Sequence, residues 1–400
     1  MKTLAFAWHY LWSRPLAAVL NVLLLSLGLG SIAFLLLVAH QLSRAFDRDL
    51  AGIDVVVGAK GSPMQLILSG VLHIDVPPGN IPLKAVRELE KHPMVAGIIP
   101  ISLGDSYQSY RIVGTSHGYL SHYQATLAQG QPWSQPMDVV VGATVARKLG
   151  VTLGVTFAGS HGLGTGGHQH GDSRYTVVGI LAPSASVLDR LILTDSASVW
   201  KVHEDYTAID DEDRAVLEAE REITMALVTY KTPMAAMTFP RFVNTTTEMQ
   251  AASPALEVTR LLNLLGLGTD VLRAFAGVLL LTAALSVFFA LWTAVRERRA
   301  DLALLRMLGA PPGKVAALLL SEALWLGLLA SVLGLGLGQA FTMALGWFLQ
   351  LDTSLLVGGL VWPVELAIVP ILALVVSLGA ALLPALGAYR VSVLELLQTR

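Results

Sequence analysis

The histidines of the run GSHGLGTGGHQHGD, residues 159–172, are the side chains of this 400-residue sequence best suited to chemistry. His161, His168, His170 and Asp172 lie along a glycine-rich segment, and neutral imidazoles beside a carboxylate suit zinc, copper or nickel. A segment of this composition can wrap an ion. It can equally be a hairpin tip whose histidines are incidental, since loop tips tolerate insertion. Eight of the ten histidines fall within residues 41–270, which favours the metal. A second charged run, residues 203–223, holds nine carboxylates against two arginines. It reads as a solvated acidic helix or loop, or as a docking face for a basic or metal-laden partner.

Other chemistry is excluded. There is no cysteine, so thiol catalysis, zinc–thiolate sites and disulfides are absent. No H-E-x-x-H pair or G-x-x-x-x-G-K-[ST] loop occurs, and no G-x-S-x-G elbow frames Ser62, Ser184 or Ser186, so no convincing catalytic constellation stands out and the chain does not itself cradle ATP. The glycines near Gly162 lack the following helix of a dinucleotide fingerprint and those near Gly334 lie inside an apolar span, so they read as a flexible loop and as close helix packing. A net charge of −2 gives no sign of a nucleic-acid partner.

The elements that must hold these groups are set by hydropathy. Only 14% of residues are charged and 54% are hydrophobic, against about 25% charged in soluble domains. Four apolar stretches, Leu16–Ala39, Val271–Val295, Val315 to about Leu349 and about Leu366–Leu383, each exceed or approach the roughly 20 residues a spanning helix needs. The first is too long for a signal-peptide core and reads as a retained anchor. The third exceeds one upright span, and Gly334–Gly338 is expected to break it before an outer interfacial helix. Lys2 and Arg14, then Arg296, Arg298, Arg299, Arg306 and Lys314, then Arg390 and Arg400 all fall on one side of four spans. The positive-inside rule makes that side cytoplasmic, with both termini, and puts residues 41–270 outside.

The outer residues alternate strand and helix patterns. Ile53–Ala59, Val95–Gly104 and Ser109–Ser116 read as strands, and PLKAVRELEKHP as a helix with Leu83, Val86 and Leu89 on one face. MDVVVGATVARKLGV, RYTVVGILAP, LILTDSASVW and ITMALVTY continue the alternation. The expected division is 1–40 (N-terminal amphipathic segment and first span), 41–253 (α+β domain), 254–295 (stalk and second span), 296–314 (cytoplasmic loop) and 315–400 (third and fourth spans with a cytoplasmic tail).

The loop after the second span, RERRADLALLRMLGA, carries its own pattern. Leu302, Leu305 and Leu308 recur at i, i+3, i+6, giving a short helix one apolar stripe, with Arg299 and Arg306 opposite and Asp301 intruding on the apolar arc. Gly309 can supply a left-handed cap, and Pro311 and Pro312 prevent continuation. So short a helix must pack on lipid, on the bundle or on another protein. Glu322, a few residues inside the third span, is expected to pair with an arginine of this loop, since buried carboxylates in a membrane are costly alone.

From Arg296 to Gly338 the chain resembles the permease signature of the MacB/FtsX (type VII ABC transporter) superfamily. The match runs through Arg298, Arg299, Leu302, Leu305, Arg306, Leu308, Gly309 and Ala310, then Glu322, Ala323, Leu324 and Gly327. The tail PALGAYRVSVLELLQTR resembles the family's own through Pro384, Ala385, Ala388, Arg390 and Glu395, departing at Leu386, Gly387, Val393 and Gln398. The resemblance implies a membrane protein with four transmembrane helices and a large periplasmic α+β domain between the first two, in a bacterial inner membrane. It implies a non-catalytic subunit of a transport complex. Residues from about Asp301 to Leu308 would form a coupling helix in a groove of a separate ABC ATPase dimer, which binds the ATP and Mg. Leu302, Leu305 and Leu308 would be its knobs and Arg306 would meet an ATPase carboxylate, flanked by Arg296, Glu297, Arg298, Arg299 and Gly309. Arg390 and Glu395 would make tail contacts. Two permease chains, a homodimer, would serve two ATPases, with a periplasmic or outer-membrane partner beyond. Such a complex exports or extracts an envelope substrate by transmitting force. The alternatives are an FtsX-like regulator of a cell-wall hydrolase, or a zinc-linked envelope system using the His-rich loop.

Overall fold

The computed structural model describes residues 2–161, 169–207, 217–218, 220–297, 307–352 and 360–389. In chain order the helices are α1 Lys2–Leu11, α2 Pro15–Leu50, α3 Pro63–Gly70, α4 Leu83–Glu90, α5 His117–His122, α6 Ala143–Leu149, α7 Ser196–Thr207, α8 Ala235–Thr246, α9 Pro254–Glu297, α10 Pro312–Asp352 and α11 Ile368–Tyr389. The chain divides into two units, Met1–Ser43 with Leu264–Arg400, and Arg44–Asn263.

The first unit is helical. Four helices are long and apolar enough to cross a membrane: Pro15–Leu50, Asp270–Glu297, Pro312–Phe348 and Val364–Tyr389. The long helices α2, α9 and α10 all open on proline, whose fixed φ and missing N–H cost nothing in a first turn. The expected break at Gly334–Gly338 does not occur, because α10 runs without interruption from Pro312 to Asp352. The glycines serve contact instead. A Cβ on Gly334 would stand 2.8 Å from Leu29 Cβ, and one on Gly338 2.5 Å from Ala33 Cβ. From the other side, a Cβ on Gly30 would lie 3.0 Å from Leu337 Cβ. Residues spaced i, i+4 share a helix face, so Gly334 and Gly338 form one seat on which the first span rests backbone to backbone. Gly327 does the same toward α11, where an added Cβ would be 2.5 Å from Ser377 Oγ.

The second unit is built on a mixed sheet. Among the described residues its strand order is β12-β1-β11-β3-β4-β9-β6-β8-β5, with β7 pairing β3 and β8. These strands are β1 Val55–Ala59, β3 Val95–Tyr107, β4 Tyr110–Thr115, β5 Leu127–Gly130, β6 Asp138–Val141, β7 Thr156–His161, β8 Gln169–Leu181, β9 Ile192–Asp195, β11 Met225–Tyr230 and β12 Met249–Ala252. A separate two-residue pairing joins β2 Ile81–Pro82 to β10 Glu222–Ile223. β4/β9 and β6/β8 are parallel and the other pairings antiparallel. Two apolar cores form: Val55, Val57, Val86, Leu89, Phe239 and Val243 under one part of the sheet, and Ile112, Val139, Val141, Tyr175 and Val177 under the other. The expected face of α4 holds, with Val86 and Leu89 buried and Leu83 packed beside them.

Candidate functional site

At one end of the helical unit, charge gathers around the junctions of α1, α2, α9 and α10. Arg14, just ahead of α2, forms an ion pair with Glu297, the last residue of α9. Deeper in, Ser286 Oγ donates to Asn21 Oδ1 at 2.7 Å. The N-terminal α1 is held by aromatic packing: Trp8 sits edge-on to Trp325 at 4.9 Å, and Trp325 Nε1 donates to the Leu4 carbonyl at 3.1 Å. Between these contacts lies a cavity of about 360 Å³ whose polar wall includes Tyr10, Arg14, Asn21, Ser286 and Glu322. Glu322 is 4% exposed. Of the loop arginines expected to meet it, only Arg296 lies among the described residues, and it is exposed. The arginine that shares Glu322's cavity is Arg14.

The coupling segment is described at its two ends. Arg296 and Glu297 finish α9, while Arg298, Arg299, Leu302, Leu305 and Arg306 lie outside the described residues, as do Arg390 and Glu395. Met307 is helical, Leu308 and Gly309 form a turn, and Gly309 adopts φ +93°, the left-handed stop that its sequence position suggested. Lys314 N–H then bonds to the Pro311 carbonyl at 2.9 Å as α10 begins. Leu308, the described member of the leucine stripe, is 84% exposed.

In the sheet unit, the backbones of His161 in β7 and of His170 and Asp172 in β8 belong to a strand pair with Ser160 opposite Gln169. Strand pairing therefore reaches further into the His-rich run than its glycines indicated. His168 and the side chains of His161, His170 and Asp172 lie outside the described residues. Among the described residues no three metal-ligating side chains converge.

A buried polar network here escaped the sequence. Asp49, near the end of α2, accepts the Val187 N–H at 3.2 Å, and its carbonyl accepts the Tyr123 hydroxyl at 2.7 Å. Tyr119 stands edge-on to Tyr123, and its hydroxyl meets His73 Nε2 at 3.0 Å. Arg111 donates to the Asp75 carbonyl at 2.8 Å. Burial, reinforced by Arg111 and Arg190, holds the His73 imidazole well below its usual range, so it is neutral. Burial likewise pushes the Tyr119 phenol well up. Within the second unit, this network ties Asp49 to the sheet and its loops. Its members are scattered over the sequence, and no local pattern marks them.

Comparison with known proteins adds the family. Residues 273–393 match the model for the FtsX-like permease C-terminal region, and residues 18–231 match that for the MacB-like periplasmic core domain. Among solved structures, the periplasmic region of MacB from Actinobacillus actinomycetemcomitans is similar at 11% identity and a TM-score of 0.36, over 54% of this chain and 96% of that one. The extracellular domain of the noncanonic ABC-type transporter YknZ from Gram-positive bacteria is similar at 11% identity and a TM-score of 0.31, over 50% and 99%. No curated protein matches in sequence. With one family model covering more than half of its length and the other most of the remainder, the chain belongs to the MacB/FtsX-type ABC permeases, membrane subunits that work with an ABC ATPase.

Proposed function

We propose that this permease carries the motion of a cytoplasmic ABC ATPase dimer to its own outer domain, and so drives export or extraction of an envelope substrate. The observation that carries this reading is the connection between α9 and α10. It presents Leu308 to the surroundings at 84% exposure and is closed by a left-handed Gly309. A leucine on so short an element is stabilised only by a partner that covers it. The ATPase is that partner, with Leu302 and Leu305 completing the stripe, Arg306 meeting a carboxylate, and Arg390 and Glu395 contacting it from the tail. Both termini then face the cytoplasm, the sheet unit faces the periplasm, and the bilayer is the inner membrane. Two copies of the chain serve the two ATPases.

The test is co-purification of the ATPase from membranes. Leu305→Asp and Leu308→Asp should each reduce recovered ATPase at least about tenfold, since placing a charge in an apolar contact costs well over 1.4 kcal/mol. Met237→Asp, at an exposed site in the sheet unit, should leave it unchanged. ATPase recovered in full with Leu305→Asp overturns the assignment.

A further inference from the structure

A cleft of about 320 Å³ opens in the sheet unit beside Trp200, where α7 approaches β3 and β10. Its floor carries Ser102, 3% exposed, whose hydroxyl has no hydrogen-bond partner among the described residues. The neighbouring hydroxyl is not left over in this way: Thr224 Oγ1 accepts the Leu103 N–H at 2.9 Å and donates to the Leu103 carbonyl at 3.4 Å. Leaving a buried hydroxyl unsatisfied is costly, so Ser102 is a group that a ligand would complete.

The rest of the lining fixes the ligand's charge. Leu103, Val199 and Ile223 give apolar walls. The Trp200 indole is held in place by its Nε1 donating to the Glu222 carbonyl at 2.7 Å. The side chains of Glu220 and Glu222 stand exposed at the rim. A cation already lies on the aromatic face: the Arg221 guanidinium is 4.9 Å from the ring centroid, with Glu218 at 3.3 Å on its flank. Rim carboxylates repel an anion, and the hydroxyl floor is wasted on a purely apolar guest. A long basic side chain fits each part, with methylenes on the apolar walls and a charged head between ring, hydroxyl and carboxylates.

We propose that this cleft binds a lysine or arginine side chain presented by a partner polypeptide, and that Arg221 is its internal stand-in, displaced when the partner arrives. The exposed carboxylates Glu218, Glu220 and Glu222 supply the field that draws a basic segment toward it.

The experiment uses the full chain in detergent and a fluorescein-labelled tetra-arginine amide followed by polarisation, with tetra-glutamine as the neutral control. Tetra-arginine should bind and tetra-glutamine should not. Trp200→Ala should weaken binding about tenfold, within the 2- to 30-fold expected for a cation over an indole. Arg221→Gln should tighten it about fivefold by freeing the ring, whereas Lys201→Gln, which removes a neighbouring charge without uncovering Trp200, should change it less than about twofold. Thermal melts establish that each variant is folded, and Arg221→Gln tests the idea even if Trp200→Ala is not. Binding that ignores Trp200→Ala and Arg221→Gln but vanishes when Asp210, Asp211, Glu212 and Asp213 are neutralised would reduce the effect to a generic acidic surface. Trp200-dependent binding of a neutral oligosaccharide in place of tetra-arginine would equally overturn the proposal.

Discussion

Adding one methyl group to the third span should separate helix packing from helix propensity. In Gly338→Ala the new carbon would stand 2.5 Å from Ala33 Cβ and 3.1 Å from the Phe34 nitrogen. Carbon atoms rest at about 3.5–4.0 Å, so α2 and α10 must part by about 1 Å along this contact. Overpacking of this kind costs about 1–3 kcal/mol. Against it stands the gain of up to about 1 kcal/mol for replacing glycine by alanine in a helix. Gly336, two residues earlier on the same helix, has nothing within 4 Å of its added carbon, so Gly336→Ala receives that gain without the clash. The difference between the two variants is therefore the packing cost alone. At about 2–4 °C per kcal/mol for a unit of this size, thermal unfolding in detergent should begin about 5 °C lower in Gly338→Ala than in Gly336→Ala. Equal melting of the two would refute the seat that Gly334 and Gly338 provide for the first span.

Three further outcomes are expected. Because the neutral His73 titrates well below its unfolded value of about 6.5, its contribution to stability is complete above that pH and is lost as pH falls toward the folded value, by up to about 1.4 kcal/mol per pH unit. His73→Gln should flatten urea-unfolding midpoints between pH 6.5 and 5, and an unchanged slope would refute the role. Of the two readings of the His-rich run, the metal site requires that the full chain bind zinc in equilibrium dialysis and lose it when residues 159–172 are replaced by a Gly-Ser linker; zinc retained, or never bound, leaves the histidines of the run incidental. Since the sequence contains no cysteine, single cysteines report chain pairing cleanly. Phe275→Cys and Phe289→Cys, at exposed positions on α9, should form interchain disulfides in membranes while buried Ala276→Cys and Ala283→Cys do not, and uniform or absent cross-linking counts against a dimer built on this face.

Much of the architecture was legible because each element's signal is local. Apolar length alone marks the spans, and β-branched runs such as Val55–Val57 and Val139–Val141, all buried, mark strands. Where the reading failed, the cause was context. Glycines that would loosen a helix in water have another use in a bundle, where they allow backbones to touch, so Gly334–Gly338 strengthens α10's packing where a break was expected. The helix α8 was missed because AAMTFPRFVNTT contains Pro240 and three threonines, and burial of Phe239 and Val243 overrides that preference. The left-handed stop at Gly309 was readable from Gly-Ala-Pro-Pro, residues 309–312. The His73 network was not, because Asp49, His73, Tyr119 and Val187 become neighbours only through the sheet unit's tertiary fold.

The glycine contacts also bear on how a push at the coupling segment would travel. Gly28 and Gly30 lie two residues apart, about 200° around the first span. A Cβ on Gly28 would meet Leu280 Cδ2 of α9 at 3.0 Å, and one on Gly30 would meet Leu337 Cβ of α10 at 3.0 Å. The first span is thus gripped on opposite sides by the two helices that the coupling segment joins. Backbone atoms also stand 3.3 Å from each added carbon, Leu280 N on one side and Gly334 O on the other, so the three helices have little freedom to slide and respond best as one body. The Asn21–Ser286 bond ties α2 to α9, and the Arg14–Glu297 pair ties the residue just ahead of α2 to the end of α9, over the half nearest the coupling segment. In the proposed mechanism, ATPase closure therefore acts on a clasped triplet from which α9 continues unbroken back to Pro254. Loosening the clasp through Gly338→Ala should leave ATPase binding intact while lowering the transport that each ATP supports, whereas Leu305→Asp removes the binding itself. Two lesions in one pathway with opposite binding phenotypes are what distinguish transmission of force from mere tethering of an ATPase.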